Sequence, residues 1–203
     1  MHPTASSRRS QADRRAQTRA ALITAAVSCI NTSGAAAVST QQIAAAANLT
    51  RGAVQHHFGT PEALYLAVID HGWTTLVDAH RRAPGPEVPL TDRLSTWAAI
   101  MHDAYRQDTT RAAYELLVAH RSNPAFLDSQ LPILKTAEQT LDDLWTTALA
   151  DTGHHTATLI KLRTLVRSCI LGTIVRQAVD PTDHTATVDD LHQLMLTQIT
   201  GQS

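Results

Sequence analysis

The stretch TRGAVQHHFG, Thr50 to Gly59, gathers the side chains best able to do chemistry: Arg51, Gln55 and the adjacent His56 and His57. A histidine pair suits a metal ion, a general base or a charged partner. Neighbouring residues on a helix point about 100° apart, so His56 and His57 cannot chelate one ion as an i, i+4 pair does. His154 and His155 near Asp151, and the DDLH of Asp189 to His192, are looser clusters without metal-ligand spacing. No nucleophile elbow, phosphate-cradling glycine loop or zinc-protease motif occurs. These absences point away from an enzyme, a bound metal or a cofactor, with an enzymatic or metal-sensing module as the alternative. A short basic segment that meets a charged partner is the stronger reading.

Such a segment needs a scaffold, and the rhythm of the chain is helical almost throughout. Strand-like alternation is missing, and the expected fold is all-α with nine helices. An amphipathic first helix is expected over about Ala12 to Thr32, stopped by Gly34. Ser39 and Gln42 have the spacing of a capping box, so a short helix begins at Thr40 and ends near Ala47. Asn48 supplies a left-handed turn residue where glycine is usual. Thr50 is expected to cap a second short helix, Arg51 to His57, and Thr60 with Pro61 to open the next. That helix, about Pro61 to Arg82, is apolar on more than one side and can bridge two domains. Ala83 to Leu90, with three prolines, is the clearest loop. Beyond it come a helix carrying Leu90, Leu94, Trp97, Met101 and Tyr105, and another near Thr109 to Arg121. A third opens at Asn123 and Pro124, and Pro132 is expected to kink or divide it. Thr156 to Val179 and Thr187 to Ile199 complete the set.

A short helix, a tight turn and a second short helix form the helix-turn-helix pattern. Ile43, Ala44 and Ala47 face inward, Leu49 plugs the turn, and Val54 and Phe58 anchor the second helix. Arg51, Gly52, Gln55 and one or both histidines then face outward. Arg51 is placed to donate bidentate hydrogen bonds to guanine in a major groove. Gln55 suits adenine or a phosphate. Gly52 and Ala53 allow close backbone approach or contact with a thymine methyl. Thr40 and its helix N-terminus suit a phosphate, and Arg8, Arg9, Arg14 and Arg15 suit the DNA backbone or minor groove.

The segment TQQIAAAANLTRGAVQHHFGTPEALYLAV resembles the signature of the tetracycline-repressor-like (TetR/AcrR) family of bacterial transcription regulators. Thr40, Ile43, Ala44, Ala47, Gly52, His57, Phe58 and Leu64 carry the match, which covers residues 40–69. The nine-helix layout extends the likeness less specifically over about residues 10–200. The resemblance implies base contacts from Gln41, Arg51, Gly52 and Ala53, and phosphate or groove-edge contacts from Thr40, Gln55 and His57. Three positions depart from the family pattern. Asn48 replaces a glycine, Gln55 a tyrosine, and Pro61 a lysine that would anchor a phosphate; the basic N-terminal arm is the expected compensation.

Composition agrees with this division of labour. The 203 residues are 43% apolar, enough for a packed core. Residues 1–60 carry six arginines against Asp13 alone, a charge of +5, while residues 61–203 carry −6. A basic head on an acidic body places the polyanion at the head. Cys29 and Cys169 lie far apart in apolar surroundings, as buried thiols in a reducing compartment do. The arginines before AALITAAVSCI imitate a secretory signal, and SRRSQAD a twin-arginine one. Leu22, Ala25, Ala26, Cys29 and Ile30 nevertheless share one helical face, and no apolar run reaches the ~18 residues of a membrane span. The expectation is a soluble, cytoplasmic protein, nucleoid-associated when on DNA, with no membrane partner.

The resemblance also implies a dimer built on the last two helices and an effector pocket in the body. Leu165, Val166, Cys169, Ile170, Ile174 and Val179, with Leu191, Leu194, Met195 and Ile199, are the candidates for the interface; ordinary core is the alternative. Trp73, Trp97, Met101, Tyr105, Tyr114, Leu117, His120, Trp145 and Cys169 are the pocket candidates, again with core as the alternative. The expected organisation is a flexible basic arm (1–10), a DNA-binding domain (11–60) and an effector-binding and dimerisation domain (61–203). The expected function is a homodimeric DNA-binding regulator, a repressor released from a palindromic operator by a small, largely apolar ligand. The alternative is a structural or nucleoid protein of the same fold with no effector.

Overall fold

The computed structural model describes residues 5–180, 182 and 186–201, with side chains from Gln11 onward. Among these residues the chain forms nine α-helices, a single 3-10 turn at Ala150–Thr152 and no strand. The helices are α1 (Ala5–Ser33), α2 (Thr40–Ala46), α3 (Arg51–Phe58), α4 (Pro61–His80), α5 (Leu90–Arg106), α6 (Asp108–Ala119), α7 (Pro124–Ala148), α8 (Thr156–Val179) and α9 (Val188–Thr200). No described helix is long and apolar enough to cross a membrane.

Local signals set most of the boundaries. Ser39 and Gln42 form the expected capping box: Gln42 N donates to Ser39 Oγ at 3.3 Å, and Ser39 N donates to Gln42 Oε1 at 2.8 Å. Asn48 takes the left-handed conformation at φ 56°, which lets α2 turn into α3 without a glycine. Gly34 stops α1 at φ 81°, and Thr60 Oγ1 accepts from Ala63 N at 3.1 Å at the start of α4.

Three expectations are corrected. Helix α1 begins at Ala5, not Ala12, because residues 5–33 contain no glycine or proline, and polarity alone does not end a helix. Thr50 occupies the N-cap of α3 but makes no side-chain capping bond; its carbonyl accepts from Ala53 N at 2.9 Å instead. Helix α7 runs through Pro132 undivided, so of the two expected outcomes, kink or division, division does not occur.

The chain packs as two compact units. The first runs to Gly72 and includes 111–131; the second comprises Trp73–Thr110 and 132–201 of the described residues. In the first unit α1, α2 and α3 pack on one another around Leu22, Ala26, Ile30, Ile43, Ala44 and Val54. Glu115 belongs here too: its Oε1 accepts from Ala35 N at 2.7 Å, just after α1 ends. His120 stacks on Phe126 at 4.2 Å between ring centroids and tilts against Tyr65 at 5.5 Å.

In the second unit α5 packs against α8 and α9. Trp97, Met101, Tyr105, Leu141, Trp145, Val166 and Met195 form its centre, with Trp97 and Trp145 edge to face at 5.1 Å. Two buried arginines have their charge balanced. Arg93 makes a bidentate pair with Asp151 at 2.7 and 2.8 Å and also donates to the Ala148 carbonyl. Arg163 reaches Glu138 at 2.5 Å and Asp142 at 2.6 Å, and Arg167 shares Glu138. Burial alone would disfavour these cations, and the paired carboxylates hold the guanidinium of Arg163 charged.

Candidate nucleic-acid interface

Helix α3 is only eight residues long, too short to persist alone in water, so its orientation is set by what it buries. Val54 is buried and Phe58 half-buried, which turns the opposite face outward. Arg51, Gly52, Gln55 and His56 are exposed along that face, with Ala53 and His57 half-buried at its edges. Preceding α3 in the chain, Gln41 is exposed and Thr40 half-buried at the start of α2. The turn between the two helices is closed by Leu49 N donating to Ala44 O at 2.8 Å.

Gly52 is not crowded by the chain's own structure. An added Cβ at Gly52 meets only Thr50 Oγ1 at 3.6 Å, an ordinary contact. No internal crowding and no positive φ requires glycine there. The residues at the back, by contrast, are fixed. The Arg19 guanidinium lies 4.3 Å above the Phe58 ring and donates to the His57 carbonyl at 3.4 Å.

The histidine pair shows no chelating arrangement. The His56 and His57 rings meet edge to face at 5.1 Å and 86°. Burial, followed by His56, Arg15 and Arg19, holds the His57 ring below the usual histidine range. Among the described residues, no group of three or more His, Cys, Asp or Glu side chains is placed to hold a metal.

Both histidines instead line a groove of about 570 Å³ with Gln11, Arg14, Arg15 and Thr18 of α1. The sequence suggested phosphate contacts from Arg14 and Arg15, but not that they share one groove with His56 and His57. Thr18, Gln11 and Arg19 were missed, because nothing local marks a contact made across some forty positions. Arg8 and Arg9 have side chains outside the described residues. A polar surface with arginines, a glutamine and no acid in its lining fits the backbone of a polyanion, while α3 offers an exposed reading edge.

Comparison with known proteins fixes the class. Residues 22–68 match the family of bacterial regulatory proteins, tetR family, and the match spans α2 and α3. Over residues 22–68 the chain carries the tetR-family sequence. It is 25% identical over 146 residues, 72% of each chain, to the HTH-type transcriptional regulator CymR of Pseudomonas putida. Its fold is shared with the multidrug binding protein EbrR complexed with imidazole, at TM-score 0.63 and 21% identity over 89% of this chain and 93% of that one. It is shared too with the fatty acid degradation regulator FadR from Bacillus halodurans, at TM-score 0.68 and 17% identity over 88% and 94%. Members of the TetR family are transcriptional regulators rather than enzymes, and this chain is a DNA-binding regulator.

The family's other two sites are distributed differently from the expectation. Val166, Ile170, Leu191 and Met195 are buried inside the second unit, because these are the positions of α8 and α9 that pack inward. They are core and cannot also face a partner. Leu165 remains, 58% exposed, with Ile174 and Leu194 half-buried. Val175 and Val179, 65% and 84% exposed, continue the outer side of α8.

The pocket candidates divide between the two units. Tyr114, Leu117 and His120 fall in the first unit and the other six in the second. Met101, Tyr105 and Trp145 are packed core with no exposed surface, Trp73 is buried, and Cys169 is exposed. Trp97 alone of the nine lines a described cavity.

Proposed function

We propose that this TetR-family regulator is a homodimeric repressor that α3 seats in the major groove of a palindromic operator, and that a small, largely apolar ligand releases it. The observation that carries the DNA-binding half is the outward face of α3. Arg51, Gly52 and Gln55 are exposed there beside a groove lined by Arg14, Arg15, His56 and His57. In this reading Arg51 donates to guanine, Gln41 and Ala53 touch base edges, and Thr40, Gln55 and His57 meet phosphates or groove edges. The dimer rests on the outer side of α8, where Leu165, Val175 and Val179 leave apolar surface uncovered. Ligand response is supported by kinship of fold: EbrR, described as a multidrug binding protein, was solved with imidazole and with ethidium.

Selection of bound sequences from a random DNA pool at fixed salt, followed by footprinting, tests the proposal. One or a few palindromes are expected, with half-sites about 10 base pairs apart or a multiple of that. Broad binding without a motif would make the protein a nucleoid component. Arg51→Ala is expected to cost ~1–3 kcal/mol at one base pair and little at the others. An equal loss on every sequence would make Arg51 a phosphate contact.

A further inference from the structure

Helix α3 ends at Phe58, and its last carbonyls need donors from outside the helix. Gly59 N serves the Gln55 carbonyl at 3.0 Å. The His57 carbonyl is the harder case. A continued helix would serve it from the N–H of residue 61. The chain instead turns off at Gly59, φ 78°, and residue 61 is proline, which has no N–H. The donor comes from another helix: Arg19 Nη1, on α1, donates to the His57 carbonyl at 3.4 Å. The same guanidinium lies 4.3 Å over the Phe58 ring. One side chain thus holds two consecutive residues at the end of α3, and it sets a cation at the negative end of the helix dipole.

Arg19 differs from the other arginines of α1 whose side chains are described. Arg14 and Arg15 line the groove beside His56 and His57, and Arg19 is not among its lining residues. Arg19 is exposed, however, so a phosphate contact is the rival assignment. The geometry of α3 favours the first role. Its eight residues span about 12 Å. The turn at Leu49 holds the N-terminal end and buried Val54 the middle, while half-buried Phe58 under Arg19 holds the far end. Hydrogen bonds to base edges weaken steeply when misaligned, so a helix free to tilt at one end reads poorly.

We propose that Arg19 is a positioning residue for DNA recognition, holding the C-terminal end of α3 on α1 so that Arg51 and Gln55 meet the duplex at a fixed angle, and that it neutralises no phosphate itself. The proposal rests on α3 being the helix that enters the groove.

Anisotropy titration of the full-length protein, on a duplex that wild type selects from the random pool, tests it over a series of salt concentrations. Arg19→Met keeps the apolar stem and removes the donor and the charge. Stoichiometric titration at high DNA concentration fixes the active fraction of each preparation. Affinity per active protein is expected to fall about tenfold, by the same factor on every single-base variant of the duplex, with the salt slope unchanged. Phe58→Leu removes the face that the guanidinium covers, and the double variant is expected to lose clearly less than the product of the single losses. Hydrogen exchange of free Arg19→Met protein is expected to quicken over 50–59 and not in α1 or α2. A slope lower by about one per head makes Arg19 a phosphate contact and overturns the proposal. So do unchanged affinity, a loss confined to one base pair, single losses that multiply in the double variant, or faster exchange throughout α1 and α2. Wild type that binds every duplex alike overturns the operator reading alone, since the slope and the double variant are read on any duplex.

Discussion

Gly52 and His80 are single residues whose environments make opposite demands. Gly52 has room for a methyl group and ordinary helical geometry, so Gly52→Ala is expected to stabilise the free protein, by up to about 0.5–1 kcal/mol in a denaturant melt. In the proposed complex the same methyl stands between α3 and the floor of the groove. DNA affinity is therefore expected to fall at least about tenfold while stability rises, a split that no folding defect produces. Unchanged affinity would move Gly52 out of the interface. His80 offers the reverse case, a group the fold constrains. Burial pushes its ring down to about 4, against a smaller upward pull from its bond to Leu76 and opposed effects of Arg163 and Glu138. The unfolded chain thus takes up a proton near pH 6.5 while the folded chain refuses it until about 4. The stability tied to the neutral ring is complete above pH 6.5 and is lost as pH falls toward 4. Its size is about 3 kcal/mol across that window. Urea melts of wild type and His80→Phe at pH 7.5 and pH 4.5 should show a smaller pH-dependent loss in the variant. Equal losses would mean that His80 does not carry the effect.

Helix α2 holds α3 in place and, in the proposed reading, brings Gln41 alone of its residues to a base edge, which gives the element scale its own test. Ser39→Ala removes half of the capping box and is expected to cost about 1 kcal/mol of stability, measured by urea denaturation. Because the damage is to positioning, DNA affinity should fall on all sequences alike, unlike the base-specific loss from Arg51→Ala. A base-specific loss from Ser39→Ala would instead place Ser39 at the DNA. Capping explains why this part of the molecule was legible in the sequence. Ser39 with Gln42, Asn48, Gly34 and Thr60 each act within a few residues, and so could be read within a few residues. Helix α8 shows where that ended. Its apolar residues lie nearly all round, so periodicity gave no reason to separate the buried Val166 from the exposed Leu165 beside it. The contacts of Arg19 with Phe58, Glu115 with Ala35 and Arg163 with Glu138 span 25 to 80 positions, and no local pattern announces a partner at that range. His80 was passed over for the same reason. Its significance lies in a fully buried ring, which only the packing reveals.

At the scale of the whole molecule, affinity for a palindrome depends on joining two heads. Each body carries a formal −6, so two bodies repel through their net charge, and the apolar outer side of α8 must supply the attraction. Leu165, Val175 and Val179 are already in water, so changing them costs the isolated chain little, within about 0.5 kcal/mol for surface positions. Leu165→Glu combined with Val179→Glu is expected to leave the thermal melt of the chain otherwise intact and convert a dimer into a monomer in sedimentation equilibrium. Placing a carboxylate on each stripe adds like charge across the two-fold axis as well as removing apolar area. The DNA consequence follows from effective concentration. A linked second head binds in an intramolecular step, which raises overall affinity by about 10²–10⁴. The double variant should therefore lose roughly that factor on a palindrome and almost nothing on a single half-site, although no altered residue touches DNA. Salt titration separates this from a weakened head: the dimer's slope on the palindrome should be about twice the monomer's on a half-site, since the slope counts phosphates neutralised. A variant that remains dimeric, or a monomer that holds the palindrome as tightly as wild type, would show that the outer side of α8 does not join the heads.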